Sequence, residues 1–451
     1  MEYFESEWEY LQNPKEFANI KNTNVNVEID NILIQRENQY KIVMQLTVYN
    51  LTKKDMKKLK KLSTFIFKDK FILHRIECSY KTTQKLSSDY PNKHVLIYNV
   101  YRIERKKTTY SPAKKIDWFL NSIKYQSNRR LFCQQSAHKH SPSYSGKNQN
   151  STIGSNKSFD KITVSCPKTK FRRITIRLVD DKYQPFWSDA IAVEYAAMPT
   201  KEESEKIHLI LNFIFGCYLI KIGTTNLDIN NKAISEVSVP PEEGFDVKYI
   251  CHMPEKSIIL PIILEVNEAD IIIKKISYII NTYLNLDVDL NHSLNLYTQS
   301  LISNPNIEII MLDAALESFA QTMGFEGLAK KKIYSFIYDC GIGTKEDGII
   351  TLGTIEDDLR TMRNNITHGQ LVTDKQELYY SNLAYRVLYG RILLKFLKIN
   401  KYYDLTTGVI RPIGQSIDAK KFYRIQAILK KEKYSSSRKY YMDLHKLILK
   451  G

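Results

Sequence analysis

Residues 354–370 read TIEDDLRTMRNNITHGQ, and this stretch carries the clearest signal in the chain. Thr354 is a good helix N-cap, and the three acidic residues at 356–358 favour the first turn of a helix, where the backbone dipole is positive. Gly369 predicts the end of the same helix, because glycine readily adopts the left-handed conformation that ends helices. The apolar stripe between these ends consists of Ile355, Leu359, Met362 and Ile366. The stretch therefore predicts an amphipathic helix over 354–368.

The polar side of this helix carries an Arg-x4-His pattern. Arg363 is followed by Asn364, and the pattern ends at His368. Because Arg363 and His368 are five residues apart, an ideal helix projects them about 140° apart. One helix therefore does not bring both side chains to one phosphate. Two copies meeting across a two-fold axis would, since each His then approaches the Arg of the other copy.

The residues around this pattern resemble the HEPN ribonucleases, whose hallmark is an Arg, a following polar residue, and a His four to six residues beyond the Arg. MLDAALESFAQTMGFEGLAKKKIYSFI (311–337) and DDLRTMRNNITHGQL (357–371) are similar to the ApeA-like HEPN domains of bacterial defence proteins. Those proteins also carry a large N-terminal region of their own. The resemblance covers about residues 265–400 and implies a helical nuclease domain there.

The resemblance also implies a mechanism without metal or any other cofactor, in which the 2′-OH of RNA attacks the neighbouring phosphorus. His368 would be the general acid or base, and Arg363 would hold the phosphate. Asn364 lies one turn before His368 and would orient its ring or a phosphate oxygen. Thr367 is a further supporting candidate. Glu317 is a candidate to orient Arg363, although it fits a solvated helix position equally well.

Other patterns are weaker candidates. RKYYMDLH, from Arg438 to His445, fits a wider Arg–His spacing but lies in a basic tail outside the predicted bundle. His138 and His140 form an H-x-H pair, but no Cys or carboxylate stands nearby to complete a metal site. No phosphate-binding glycine motif occurs in the sequence. The sequence thus predicts neither a metal site nor a nucleotide cofactor.

Positive charge is concentrated outside the predicted nuclease region. The chain has 451 residues and a net charge of +17. Residues 270–400 carry 13 basic and 15 acidic residues, a net of −2, so the remaining residues carry +19. The basic stretches are 53–70, 102–130 and 416–451, and tyrosines lie among the last two. Such stretches suit a phosphate backbone with stacked bases, and RNA is the expected partner. A solvated, Lys-rich surface is the alternative for any one stretch.

Periodicity predicts an α+β multidomain protein with a β-rich N-terminal half followed by an all-α helical bundle, and the resemblance implies that this bundle is a HEPN domain. The predicted domains are a β-rich region at 1–200 with a mobile loop at 134–159, a helical connector at 201–264, the HEPN domain at 265–400, and a basic tail at 401–451. Strands are predicted within 23–50 and at 70–80, 94–103, 161–165 and 173–179. Helices are predicted at 53–62, 202–222, 267–283, 292–303, 307–323, 326–339, 354–368 and 374–399.

The expected compartment is the cytoplasm. The six cysteines form no C-x-x-C pair, the N-terminus is acidic without an apolar signal region, and polar residues interrupt the longest apolar stretch. No membrane partner is expected.

Two functions fit these features. One is an endoribonuclease toxin of anti-phage defence, which would act as a homodimer through its HEPN domain, cleave RNA such as tRNA, and respond to a phage-derived trigger. The other is a non-catalytic RNA-binding or adaptor protein that uses the HEPN fold as a dimerisation scaffold. The presence of both Arg363 and His368 favours the first.

Overall fold

The chain folds into two compact units, and each is built from two separate segments of the sequence. Residues 1–200 and 219–252 form the first unit, and residues 201–218 and 253–451 form the second. The computed structural model describes residues 15–18, 27–38, 41–85, 92–107, 110–120, 161–178, 191–240, 259–260, 269–325, 363–369, 375–399, 401–404 and 409–412.

An antiparallel β-sheet dominates the first unit. Its strands are β1 (Lys15–Ala18), β2 (Ile29–Asn38), β3 (Lys41–Tyr49), β4 (Thr64–Asp69), β5 (Ile72–Lys85), β6 (Lys93–Lys106), β7 (Lys114–Leu120), β8 (Lys161–Ser165), β9 (Arg173–Leu178), β10 (Ile191–Tyr195), β11 (Ile220–Leu227) and β12 (Ala233–Ser238). Within the described ranges these 12 strands follow the order β1-β2-β3-β6-β12-β11-β7-β10-β9-β8, and β5 pairs with both β4 and β6.

Within the part of the chain that the structure describes, the long strand β6 has three neighbours. β5 pairs with it from His94 to Lys106, whereas β3 pairs with its residues 93–100 and β12 with its residues 103–106. A strand has two hydrogen-bonding edges, and β5 follows one of them along almost the whole length. The other edge of β6 is therefore shared between β3 and β12.

Helix α1 (Lys53–Lys61) packs on this sheet through one apolar side. The Thr52 hydroxyl caps the helix by accepting a hydrogen bond from the Asp55 backbone N–H at 3.1 Å. Leu59 is fully buried in an apolar cluster with residues of β2 to β6. The Tyr98 hydroxyl donates to the Leu59 carbonyl oxygen at 3.0 Å. The Thr52 cap, the buried Leu59 side chain and the Tyr98 hydrogen bond together fix the rotation of the helix about its axis on the sheet.

Helices and a small sheet make up the second unit. The helices are α2 (Lys201–Phe215), α3 (Ala269–Leu284), α4 (Asn291–Ser300), α5 (Pro305–Thr322), α6 (363–367) and α7 (Lys375–Phe396). The strands β13 (Ile259–Leu260), β14 (Lys401–Asp404) and β15 (Val409–Pro412) form an antiparallel sheet in that order.

A buried polar contact joins α4, α5 and α7. The Ser293 hydroxyl on α4 donates to the Ala315 carbonyl oxygen on α5 at 2.7 Å, and it lies 2.8 Å from the Tyr389 hydroxyl on α7. Since the only Ser293 hydroxyl hydrogen goes to Ala315, Tyr389 is the donor in the second bond. Burial raises the pKa of the Tyr389 phenol well above its usual value, which keeps it protonated for this role.

The predicted fold class is wrong. The helices are distributed along the chain, with α1 between β3 and β4 and α2 between β10 and β11, and the second half is not all-α because it contains β13, β14 and β15. The helix predicted at 202–222 ends at Phe215, and Ile220 begins a strand. The residues around 207–222 are almost all apolar, and both a buried helix and a buried strand have such a composition. The hydrophobic pattern therefore does not show where the helix ends and the strand begins.

Most individual elements were nevertheless predicted at the correct positions. The strands expected within 23–50 and the basic helix at 53–62 are confirmed. So are the helices expected at 267–283, 292–303, 307–323 and 374–399. The loop at 134–159, with His138 and His140, lies outside the described residues, as do the helix at 326–339 and the pair Arg438 and His445.

Candidate active site

The candidate site is centred on α6, of which residues 363–367 are described. The Thr367 hydroxyl donates to the Arg363 carbonyl oxygen at 2.9 Å, and the His368 backbone N–H donates to the Asn364 carbonyl oxygen at 2.9 Å. Gly369 then adopts a φ of +84°, and its N–H bonds to the Ile366 carbonyl oxygen. The prediction that the helix ends at Gly369 is confirmed. The part of the predicted helix before Arg363 lies outside the described residues.

A buried carboxylate holds the Arg363 side chain. Nε of Arg363 donates to Oδ2 of Asp313 at 2.6 Å, and Nη2 lies 2.6 Å from the same oxygen. The Asp313 side chain is fully buried, whereas 24% of the Arg363 side chain is exposed. The guanidinium is therefore fixed on one side by the protein interior and open to solvent on another.

Helices α5 and α7 position that carboxylate. Asp313 lies in the middle of α5, and the buried Tyr385 of α7 donates from its hydroxyl to Asp313 Oδ1 at 2.9 Å. Each Asp313 oxygen thus has its own donor, Tyr385 for Oδ1 and Arg363 for Oδ2. A buried carboxylate requires such partners, because removing it from water is costly unless hydrogen bonds replace the hydration.

Further contacts set the register of α5 against α7. Asn304 caps α5 by accepting from two backbone N–H groups, with Pro305 at the first helical position. The Asn382 amide of α7 donates to the Pro305 carbonyl oxygen at 2.8 Å. Glu308 Oε1 lies 2.7 Å from Arg386 Nε, and both side chains are almost fully buried. Breaking such a pair costs about 3–5 kcal/mol, so it strongly favours one alignment of the two helices.

Two other side chains contact the Arg363 guanidinium. Nη1 donates to the Asn364 side-chain oxygen at 2.8 Å. Nη2 lies 3.8 Å from Glu317 Oε1, too far for a hydrogen bond but close enough for charge attraction. Among the described residues, the carboxylate nearest to Arg363 is therefore Asp313, and Glu317 is a second, more distant one.

The remaining predicted site residues lie on the solvent side of α6. Asn364, Thr367 and His368 are exposed, whereas Arg363 turns toward Asp313. The structure gives Arg363 a contact inside the protein and leaves His368 exposed to solvent. The structure brings together Arg363, Asn364 and Glu317, and it adds Asp313 and Tyr385.

Sequence reasoning missed Asp313 and Tyr385. A signal for Asp313 was present, because a lone Asp in the apolar run IIMLDAAL needs a partner once that helix is buried. Tyr385 has no comparable signal, since a tyrosine in an amphipathic helix packs in a core without any special partner. Its role depends on the alignment of α7 with α5.

In the described part of the chain, no group of three or more His, Cys, Asp and Glu side chains is arranged to hold a metal ion. None of the helices in that part is long and apolar enough to cross a membrane.

Comparisons with protein-family models, curated proteins and solved structures give no match. The HEPN resemblance therefore rests on the residues of 311–337 and 357–371 themselves.

Proposed function

We propose that the chain is an endoribonuclease whose reaction centre contains Arg363 and His368. The observation that carries this proposal is the anchoring of Arg363 by the buried Asp313, next to an exposed His368 at the end of the same helix. A group that binds a transition state has to be positioned before the substrate arrives, and a carboxylate that is itself held provides this. The proposed substrate is cellular RNA, with tRNA as one candidate, and the proposed setting is anti-phage defence in the cytoplasm.

The reaction that suits these side chains is a transesterification within RNA. The 2′-oxygen attacks the adjacent phosphorus, a P–O2′ bond forms, and the P–O5′ bond breaks. The products are a 2′,3′-cyclic phosphate and a 5′-OH end. One proton leaves the 2′-hydroxyl and one reaches the departing 5′-oxygen, and His368 transfers one of them. Imidazole suits this step because it titrates near neutral pH.

Arg363 would bind the phosphate with those N–H groups that do not already donate to Asp313 or Asn364. A guanidinium carries five N–H groups in a planar fork. Asp313 takes the Nε hydrogen and one Nη2 hydrogen, and Asn364 takes one Nη1 hydrogen. The other Nη hydrogens would stabilise the charge that develops on the phosphate oxygens. Asn364 supports this arrangement by holding Nη1 in the plane of the fork.

The proposed centre is composite and forms between two copies of the chain. Arg363 is held by Asp313, and a five-residue spacing places His368 about 140° away from it on an ideal helix, so one helix does not bring both groups to one phosphate. A two-fold axis near α6 would bring His368 of one copy toward Arg363 of the other. Such a nuclease is restrained when its copies are apart, which provides a point of control for a phage-derived trigger.

A non-catalytic scaffold is the second candidate, and one observation favours it. The charge of Arg363 is balanced by Asp313 at 2.6 Å, with Glu317 nearby. A compensated Arg attracts a phosphate less strongly than a lone one. In this alternative the same contacts would serve only to attach α6 to α5 and α7.

The first test is incubation of purified protein with total cellular RNA in EDTA. We expect wild type to release fragments with 2′,3′-cyclic phosphate ends, and His368→Ala to cut about 10²–10⁴-fold more slowly. His292→Ala is the matched control, because His292 is an exposed His on α4 of the same unit. Equal cutting by His368→Ala and wild type would remove His368 from the mechanism. A wild type that cuts no RNA, and whose defence effect survives His368→Ala, would establish the scaffold.

A second test addresses the composite site. Arg363→Lys keeps the charge but loses the fork, and His368→Ala loses the proton carrier. If each site combines Arg363 of one copy with His368 of the other, mixing the two inactive variants creates dimers with one intact site. Random mixing should then restore about a quarter of wild-type activity. No recovery in a mixture shown to form mixed dimers would place both groups on one chain.

A further inference from the structure

Helix α1 of the first unit presents an unusually dense positive surface. It has nine residues, KKDMKKLKK, of which six are Lys and one is Asp. Its lysines are all exposed: Lys53, Lys54, Lys57, Lys58, Lys60 and Lys61. Leu59 is fully buried in the apolar core of the sheet.

The lysines occupy one continuous side of the helix. At 100° per residue, they fall within an arc of about 160° on an ideal helix, and the centre of that arc lies opposite Leu59. Because Leu59 is held in the core, this arc faces outward. The Tyr98 hydroxyl bound to the Leu59 carbonyl oxygen keeps it so.

Little negative charge compensates this surface. Asp55 accepts a hydrogen bond from the Thr52 hydroxyl at 2.5 Å and lies 4.0 Å from Lys58. Lys60 lies over the Tyr80 ring, with Nζ 4.9 Å from the ring centre. Three pairs of lysines are four residues apart and repel one another: 53 with 57, 54 with 58, and 57 with 61. A polyanion laid along the helix would relieve that repulsion.

The chemistry of the surface distinguishes between classes of polyanion. A helix that binds a bilayer inserts an apolar side, but the buried Leu59 of α1 is already used by the core. Protein interfaces have a core enriched in aromatic and other apolar residues, and the lysine arc has none. Sequence-independent contact with nucleic acid, by contrast, relies on lysines and phosphates alone.

We propose that α1 binds the phosphate backbone of RNA. Nine helical residues span about 13 Å, so the lysines can contact several consecutive phosphates of one strand. The inference rests on the proposed function, since it assigns substrate binding to this surface. The second unit supplies the reaction centre, and α1 supplies affinity that does not depend on base sequence.

The test measures binding without cleavage, on the full chain carrying His368→Ala, in EDTA with a fluorescent 20-nucleotide RNA. The variant is Lys53→Gln, Lys57→Gln and Lys61→Gln together. No salt bridge involves these three residues within the described ranges, and Gln has a helix propensity close to that of Lys. The matched control removes three exposed lysines elsewhere in the same unit, at Lys68, Lys168 and Lys232, each to Gln.

We expect the α1 variant to bind RNA at least tenfold more weakly at low salt. The slope of log Kd against log salt should fall by about 2, because each lost phosphate contact contributes about 0.7 for a single strand. The control variant should keep the parent slope, and both variants should keep the parent melting temperature. An unchanged slope in the α1 variant would overturn the proposal.

Two other outcomes would also overturn it. One is a parent chain that does not bind RNA at all. The other is an α1 variant that keeps its RNA affinity but loses binding to vesicles containing phosphatidylserine. Neither outcome depends on cleavage, so the reaction assigned to Arg363 and His368 stands or falls separately in the incubation with total RNA.

Discussion

Asp117 in the large sheet of the first unit and Asp313 on α5 of the second unit are both fully buried carboxylates paired with cations, yet they hold their partners differently. Asp117 accepts from Lys221 at 2.7 Å, from Lys115 at 3.0 Å and from the Thr224 hydroxyl at 2.8 Å. Lys115 is two residues from Asp117 on the same strand, and Thr224 on β11 is the register partner of Asp117. Asp313 instead reaches Arg363, which is 50 residues away in sequence.

The kind of cation explains what each pair does. A lysine ammonium is a point charge on a flexible stem, so Lys115 and Lys221 neutralise Asp117 without being held in one orientation. A guanidinium is planar, and two of its nitrogens contact Asp313 Oδ2. Asp117 therefore contributes to the stability of the sheet, whereas Asp313 fixes the direction of a group that remains partly open to solvent.

The largest expected difference between the two is in cleavage. Asp313→Asn keeps the size of the side chain but loses the charge that orients Arg363, and misplacing a binding group by about 1 Å can cost about 100-fold in rate. We expect kcat on RNA to fall by about that factor. Asp117→Asn should leave kcat unchanged, and an equal loss in both variants would remove the distinction.

The expected effect of the Asp117 change is on stability. We expect Asp117→Asn to lower the free energy of unfolding by about 1–3 kcal/mol, measured by urea denaturation, because charge-assisted bonds are lost. Lys221 can turn to solvent in the variant, since 37% of its side chain is exposed. The loss of unfolding free energy is therefore smaller than for an ion pair in which both side chains are fully buried.

The Asp117 effect should also depend on pH. Burial alone would raise the pKa of the Asp117 carboxyl, but Lys221 and Lys115 outweigh it and hold that pKa below the ordinary value of 3.8. A carboxyl with a lowered pKa stabilises the fold above the unfolded value and loses this contribution as the pH falls. The stability difference between wild type and Asp117→Asn should therefore shrink below about pH 4. A difference that is constant from pH 7 to pH 3 would contradict this.

A smaller effect on cleavage and stability is expected from removing the Tyr385 hydroxyl, which donates to Asp313. Tyr385→Phe removes the hydrogen bond to Oδ1 and should cost about 1–2 kcal/mol of stability, with a drop in kcat of about tenfold or less. Tyr389→Phe is a matched control on the same helix, because its hydroxyl bonds to Ser293 and not to Asp313. We expect Tyr389→Phe to reduce stability alone, and a similar loss of kcat in both would show that α7 acts only through packing.

The smallest effect is expected at Glu317. Its carboxylate lies 3.8 Å from Arg363 Nη2 with 29% of the side chain exposed, and such pairs contribute at most about 1 kcal/mol. Glu317→Gln should keep kcat/KM within about threefold of wild type. A loss as large as that of Asp313→Asn would make Glu317 a main positioning residue for Arg363.

The sequence predicted local features well and long-range ones poorly. The Asn304 cap of α5, the helical periods of α5 and α7 and the Gly369 stop are signals within one turn or two, so the sequence alone locates these elements. The Asp313–Arg363 and Asp313–Tyr385 contacts join residues 50 and 72 positions apart, and no local period encodes them. The same limit explains the wrong fold class, because β14 pairs with β13 across more than 100 residues.

The pairing of β6 and β7 with the β11–β12 hairpin has a consequence for how the chain is synthesised. Within the described ranges, that hairpin is the link in the strand order between β1–β6 and β7–β10. It is made after α2, which belongs to the other unit. During synthesis, at about 5–20 residues per second, the ribosome therefore has to pass residue 238 before the two parts of the sheet can be joined. A chain cut at residue 200 would leave strand edges open on β6 and β7, which favours aggregation over folding.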